Sequence, residues 1–146
     1  MRTWTMRTLI AVLFAGVISS AAWADNNGRG PGCSEATLRG EYVFTASGFN
    51  ISAAGVAQPK AIVELIEFHG DGALTVLGGT VSINGAVSQI APGGAGNYTL
   101  GPECNGTLNF IPAPSFSLFV ERDGKSGWMI QTNANSVFQG TLTQRK

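Results

Sequence analysis

Turn signals punctuate this chain at short intervals, and after Leu38 no stretch between them repeats its apolar residues with a helical period. His69-Gly70-Asp71-Gly72, Asn84-Gly85, Asp123-Gly124 and Asn133-Ala134-Asn135 are the clearest. Asp-Gly and Asn-Gly pairs supply the positive φ angles of tight hairpin turns. The runs between them are rich in Val, Ile, Thr, Phe and Tyr, which is the composition of strands. The spacing predicts strands over 40–47, 57–69, 73–81, 86–90, 97–100, 107–111, 115–122, 128–132 and 137–143. Gly78-Gly79 predicts a bulge or sharp bend inside the third of these. Ala91–Gly96 reads as a loop, Pro112-Ala113-Pro114 as a break, and Ser34–Leu38 as one helical turn with Ser34 as its cap.

Eight or nine short strands with mostly hairpin-length connections make an all-β, antiparallel meander. Closing it into an up-and-down β-barrel of about eight strands removes the exposed edges. A β-sandwich is the competing architecture, but it needs longer crossings. A barrel of this size is either filled by side chains or holds one small ligand.

The N-terminal part has a different character. Arg2 and Arg7 precede the apolar run Leu9–Ile18, which closes on Ala22-Trp23-Ala24. This is the pattern of a secretion signal, with 1–24 as the signal peptide, 25–32 as a flexible leader and 33–146 as the barrel domain. The expected location is the bacterial periplasm or the extracellular medium. No later run reaches the length of a membrane span, so the mature form is expected to have none. Cys33 lies too far from the cleavage site for a lipid anchor.

The mature chain holds two cysteines, Cys33 and Cys104. A single bridge is the simplest arrangement, closing a loop of about 70 residues and worth about 4 kcal/mol in the chain-entropy model. An intermolecular pair or a metal site are the rivals, and the lack of neighbouring histidines argues against a metal. Charge excludes one further class. The chain has 9 basic and 9 acidic residues, and losing Arg2 and Arg7 leaves 7 basic residues, scattered singly apart from the adjacent Arg145 and Lys146. Nothing here makes the electrostatic footprint of a nucleic-acid binder.

Three strings carry a family resemblance: Cys33-Ser34-x-Ala36-Thr37-Leu38-x-Gly40-x-Tyr42-x-Phe44, Phe68-x-Gly70-Asp71-Gly72, and Tyr98-Thr99-Leu100-x-x-x-Cys104-x-Gly106-Thr107-Leu108. They resemble a group of small exported bacterial proteins whose domain is likened to the allene oxide cyclase and dirigent β-barrels. The resemblance runs from Cys33 to about Thr143 and implies an eight-stranded, calycin-like barrel with a lumen. It implies no catalytic residue, because no motif of this chain matches the active site of the plant enzymes.

Few residues offer chemistry. Strand alternation puts Glu64 on one face with Ile62, Ile66 and Phe68, and Glu67 on the other with Ala61, Val63 and Leu65. One of the two carboxylates points inward in either register, unless the strand runs near an open end with both solvated, which is the plainer reading. Glu64 is the better candidate for a catalytic acid or base, because its face is bulkier. A carboxylate in an apolar lumen has a raised pKa and orients a ligand or moves a proton. Tyr42, Phe44, Phe68, Tyr98 and Trp128 join it as candidate ligand contacts, with core packing as the default for most aromatics. Trp128 is expected near a rim, where a ligand would stack on it. His69 lies beside Asp71 in a turn, where a proton-transfer pair competes with simple exposure. Gly93–Gly96 leads into a strand rather than a helix, which rules out a phosphate cradle.

The first functional expectation is an exported module binding a small apolar or amphipathic molecule in its lumen. The second is an isomerase or cyclase using Glu64 with Tyr42 or Tyr98. The third is an envelope-interaction protein with a filled core, acting through surface loops. None of the three calls for a metal or a cofactor. The expected partner is a small molecule, and the residues identify no protein partner.

Overall fold

The structure, a computed structural model, describes residues 32–146, so the signal-peptide reading and most of the leader lie outside the described residues. A 3-10 turn, Glu35–Thr37, opens the described chain. Nine strands follow: β1 (Gly40–Ile51), β2 (Ala57–Phe68), β3 (Ala73–Ile83), β4 (Ala86–Ile90), β5 (Gly94–Leu100), β6 (Asn105–Phe110), β7 (Ser115–Val120), β8 (Ser126–Gln131) and β9 (Ser136–Gln144). All pairings are antiparallel. Eight strands close on themselves, because β2 pairs with β3 as well as with β1. The expected up-and-down barrel is therefore the fold. β4 is an extra strand that pairs with β3 alone.

Alternation decides what goes inside. Tyr42, Phe44 and Ala46 of β1, Glu64, Ile66 and Phe68 of β2, and Leu74 and Val76 of β3 are all buried. The residues between them face out, as a period of two requires. Tyr98, Leu108, Phe116, Leu118, Met129, Phe138 and Leu142 complete the interior from the other strands. Each large apolar side chain among these gains about 1.5–3 kcal/mol by leaving water, which is why the register is strongly specified.

The expected bulge lies where Gly78-Gly79 predicted it. The β2–β3 register shifts between Leu65 and Ile66, leaving Leu77 unpaired between Val76 and Gly78. Gly78 has a φ of 134°, a conformation that favours glycine. The wall also forks there. Below the bulge Ala73–Val76 pairs with β5, and above it Gly79–Ile83 pairs with β4.

Two expectations are corrected. The loop over Ala91–Gly96 is shorter, because Gly94–Gly96 belongs to β5. Those glycines are small because neighbours press on them. A Cβ on Gly96 would come within 2.7 Å of the Asn109 carbonyl and 2.8 Å of Leu74 Cδ1. β1 runs on past Ser47 to Ile51, carried by its pairing with both β2 and β9.

The two ends differ. At the end holding the 69–72, 101–104 and 121–125 connections, the segment from Cys33 to Arg39 folds over the barrel. Leu38 is fully buried beneath it. Cys33 is bonded to Cys104, which realises the intramolecular bridge among the rival readings. The Tyr42 hydroxyl donates to the Gly124 carbonyl at 2.6 Å, and the Tyr98 hydroxyl lies 2.8 Å from the Glu35 carbonyl and 3.1 Å from that of Leu38. We call this the sealed end. The other end, with connections at 52–56, 84–85, 91–93, 111–114 and 132–135, is open.

Candidate functional site

β2 carries the site on its inward face, which reads Lys60, Ile62, Glu64, Ile66 and Phe68 from the open rim downward. Ile66 and Phe68 belong to the packed lower core. Glu64 stands above them, in register with Phe44 of β1 and Gly79 of β3, and is only 6% exposed. The plainer expectation, with both carboxylates solvated, does not hold: Glu67 is exposed on the outer wall and Glu64 is inside. Gly79 allows β3 to lie close at this level. A Cβ there would come 2.9 Å from Glu64 Cα and 2.6 Å from the Val63 carbonyl.

The space above Glu64 is a cavity of about 360 Å³. Ile62, Val76, Val81, Ile83 and Ile90 form aliphatic walls, and Phe44, Phe110, Phe116 and Phe138 supply aromatic surface. Phe116 meets Phe44 and Phe110 edge-to-face, with ring centroids 5.8 and 5.9 Å apart. Such pairs lock ring orientation and give the cavity fixed walls. Ala91, Ala95, Ile111 and Pro114 line its mouth.

Only Lys60 and Glu64 among the lining residues carry a charge. Burial pushes the Glu64 carboxyl up to about 7, against the Lys60 charge that pulls it down. Burial also lowers the Lys60 ammonium, and Glu64 opposes that shift. Lys60 Nζ sits 4.3 Å from the centroid of the Phe138 ring, a cation–π contact that holds the ammonium at the rim. The ion pairs among the described residues, Lys125–Asp123 and Arg145–Glu41, involve neither cavity residue. Gln131 Oε1 and Ser136 Oγ, on the inward side of β8 and β9 at this end, are buried without a hydrogen-bond partner.

This arrangement can hold an apolar body and address one polar group. With a pKa near neutrality, Glu64 both donates a proton to a carbonyl and accepts one from a hydroxyl or an amine.

Of the residues singled out from sequence, Phe44 and Glu64 meet at the cavity. Tyr42, Phe68 and Tyr98 lie below it, toward the sealed end. The Phe68 ring is flanked edge-to-face by Tyr42 at 5.1 Å and Tyr98 at 5.0 Å. Both tyrosine hydroxyls are engaged by backbone carbonyls, and burial raises both phenols above their ordinary value. Trp128 stands on the outer wall, half exposed and beside Phe119 rather than at the lumen. The His69 ring meets Thr75 Oγ1 at 3.2 Å, while Asp71 accepts from the Ala73 amide at 3.0 Å, so the turn makes no His–Asp pair.

Of the other cavity residues, Phe110, Phe116 and Phe138 read from sequence as strand aromatics with core packing as the default, and Lys60 is one that sequence reasoning did not gather. The signal was present for Lys60, four residues before Glu64 and therefore on the same strand face. A wider depression, about 600 Å³ and lined by Thr45, Trp128, Ile130 and Thr141 of the outer wall together with Ala46, Ile62 and Met129, has no titratable group and lies open to solvent. No protein-family model, curated protein or solved structure matches this chain.

Proposed function

We propose that the protein is an exported binding module that holds one small, mostly apolar molecule in the upper half of its barrel. The observation that carries this is the single carboxylate, Glu64, buried at the base of a cavity that is apolar but for Lys60 at its rim and that opens to solvent at one end. The cavity volume is at the small end of the range that ligand pockets occupy, which calls for a compact ligand. Its apolar body lies against Phe44, Phe110 and Phe116, and its one polar group meets Glu64. Lys60 at the rim suits a second acceptor on the ligand.

Export rests on the N-terminal pattern, and the Cys33–Cys104 bond fits an oxidising compartment. We place the domain with the calycin-like, allene oxide cyclase and dirigent-type barrels that its cysteine-bearing strings resemble. A closed eight-stranded barrel supports that placement but implies no activity.

The test is titration of the exported protein with an uncharged fluorescent naphthylamine dye. The reading expects saturable one-to-one binding that Val81→Trp, which projects into the cavity alone, abolishes while the fold persists by circular dichroism. Binding that Val81→Trp leaves unchanged would place the dye elsewhere and sink the reading.

A second reading draws on the same carboxyl. With a pKa near 7, Glu64 is poised as the general acid or base of an isomerase or cyclase. Tyr42 and Tyr98 drop out as its partners, because their hydroxyls are engaged at the sealed end. Glu64→Gln separates the two. A binder retains most of its affinity, whereas an enzyme loses turnover by about 10²–10⁴-fold.

A further inference from the structure

Charge is distributed along the barrel axis in an all-or-none manner. Strands β3 to β9 contain no Asp, Glu, Lys, Arg or His, and neither do the five open-end connections. In β1 the only charged residue is Glu41, next to the sealed end, and in β2 Glu67 is at that end too. Among the described residues, Lys60 and Glu64 are the only charged side chains in the upper half, and both point into the lumen. Every other charged residue between 32 and 146 belongs to the sealed end. The outer surface of the upper barrel is therefore free of charge, whereas a surface built only for water carries roughly a quarter to a third charged residues.

Exposed apolar side chains follow the opposite distribution. Val56 is 59% exposed, Val87 66%, Ile111 61% and Val137 62%, with Phe49 beside Val137 at 44%. They come from four separate open-end connections or the strand ends next to them, so they stand around the mouth as a ring. A ring of separate apolar tips matches a plane, whereas a single contiguous patch would match one protein groove. Phe119 and Trp128, both about half exposed, pair on the outer wall where the neutral zone meets the charged end. Trp128 is opposite Thr141, and Val137 lies four residues further along β9. That separation is about 13 Å along the strand, or about 10 Å along the axis of a tilted barrel. Interfacial protein segments bury their apolar face by a similar depth, about 5–10 Å, and indoles settle at the headgroup level.

We infer that the open end docks on an electrically neutral lipid surface, with the apolar ring at the acyl boundary and Trp128 among the headgroups. The charges are arranged for it. Placing an ionised side chain in the hydrocarbon is costly, and the outer surface of this end carries none; Lys60 stays inside the lumen, over the Phe138 ring. It also has no basic cluster, so attraction to anionic lipid contributes nothing. The polar outer faces of β5 and β6, with Asn97, Thr99, Thr107 and Asn109, limit the contact to the rim. Docking in this pose turns the cavity mouth toward the lipid. The inference goes beyond the binding role proposed above and does not depend on it.

The test is flotation of the exported protein with phosphatidylcholine vesicles, using material whose mass shows that 1–24 has been removed. Trp128 is then the sole tryptophan. The result expected is co-flotation that persists at 0.5 M salt and does not rise with added phosphatidylglycerol. Lipids brominated near the headgroup should quench Trp128. Val56→Asp with Val87→Asp, both exposed and outside the cavity, should lower vesicle partitioning about tenfold or more while circular dichroism stays unchanged. Absence of flotation would overturn the inference, as would flotation indifferent to the double substitution. Dimers in sedimentation velocity that the same substitutions dissolve, without any flotation, would assign the ring to a second copy and overturn it too. A protein that floats but binds no dye would refute the proposed binding role and leave this inference standing.

Discussion

The sealed and open ends of this barrel are made from the same strands and differ in how their polar groups are used. At the sealed end every buried polar group highlighted above has a partner. Tyr42 and Tyr98 donate to carbonyls of the covering loops, the Leu100 amide meets Glu35 Oε1 at 3.4 Å, and the disulfide ties the cover to the β5–β6 connection. At the open end Glu64 has no ion-pair partner among the described residues, and Gln131 Oε1 and Ser136 Oγ have no hydrogen-bond partner among them. Satisfied buried polar groups rigidify a fold, whereas unsatisfied ones cost stability and are tolerated where they serve something else. The lower half holds the barrel together, and the upper half carries the unsatisfied polar groups on which the proposed binding role rests.

The comparison breaks most readily at the disulfide. Cys33→Ser with Cys104→Ser should cost about 4 kcal/mol, since the bond closes a separation of 71 residues. Urea denaturation measures it, and a loss below about 1 kcal/mol would mean that the cover holds without its staple. Leu38→Ala removes a fully buried side chain and should cost about 3 kcal/mol. Ile62→Ala, at the partly open cavity wall, should cost only about 1 kcal/mol, because its site is already loosely packed. Equal losses at the two positions would erase the difference between the ends.

Glu64 sharpens the contrast through pH. Its carboxyl titrates near 4.5 in the unfolded chain and at about 7 in the fold. The folded state therefore binds the proton more tightly, and the carboxyl is harmless to stability below about pH 4.5. As pH rises from there to 7, the unfolded chain releases this proton while the fold still holds it, and stability falls by up to about 3 kcal/mol in all, levelling off above pH 7. Glu64→Gln should be more stable than the parent at pH 8 by up to that amount and nearly equal at pH 4. Denaturation midpoints at the two pH values test this. An effect as small as that of Ile62→Ala belongs to Tyr98→Phe, which removes one hydroxyl from the sealed end and should cost about 1 kcal/mol.

How much of this was legible depended on whether a residue's reason was local. Asp71-Gly72, Asn84-Gly85 and Asp123-Gly124 mark turns through their own backbone preferences, and β4 begins and ends where the pattern places it. The Gly78-Gly79 bulge was readable for the same reason. Gly94–Gly96 misled, because a glycine that yields space to a neighbouring strand looks in sequence like one that bends a loop. Glu64 could be assigned to the bulkier face of β2 by alternation. Its depth in the barrel could not, since that depends on how far β1, β3 and β4 rise around it. The tyrosine hydroxyls looked like lumen groups until the 3-10 turn, some 60 residues away in sequence from Tyr98, was seen to occupy one of them. Trp128 needed only its parity on β8, but parity places a residue inside or outside only once the barrel's closure is known.

The central claim is that Glu64 is a lone buried carboxyl at the base of a ligand-sized cavity. The most direct measurement is its own titration, followed by carboxyl ¹³C NMR with Glu64→Gln to assign the resonance. The account expects a midpoint near 7, well separated from the other carboxylates. A midpoint near 4.5 would mean that water reaches Glu64 freely, and would contradict both the cavity and the function built on it.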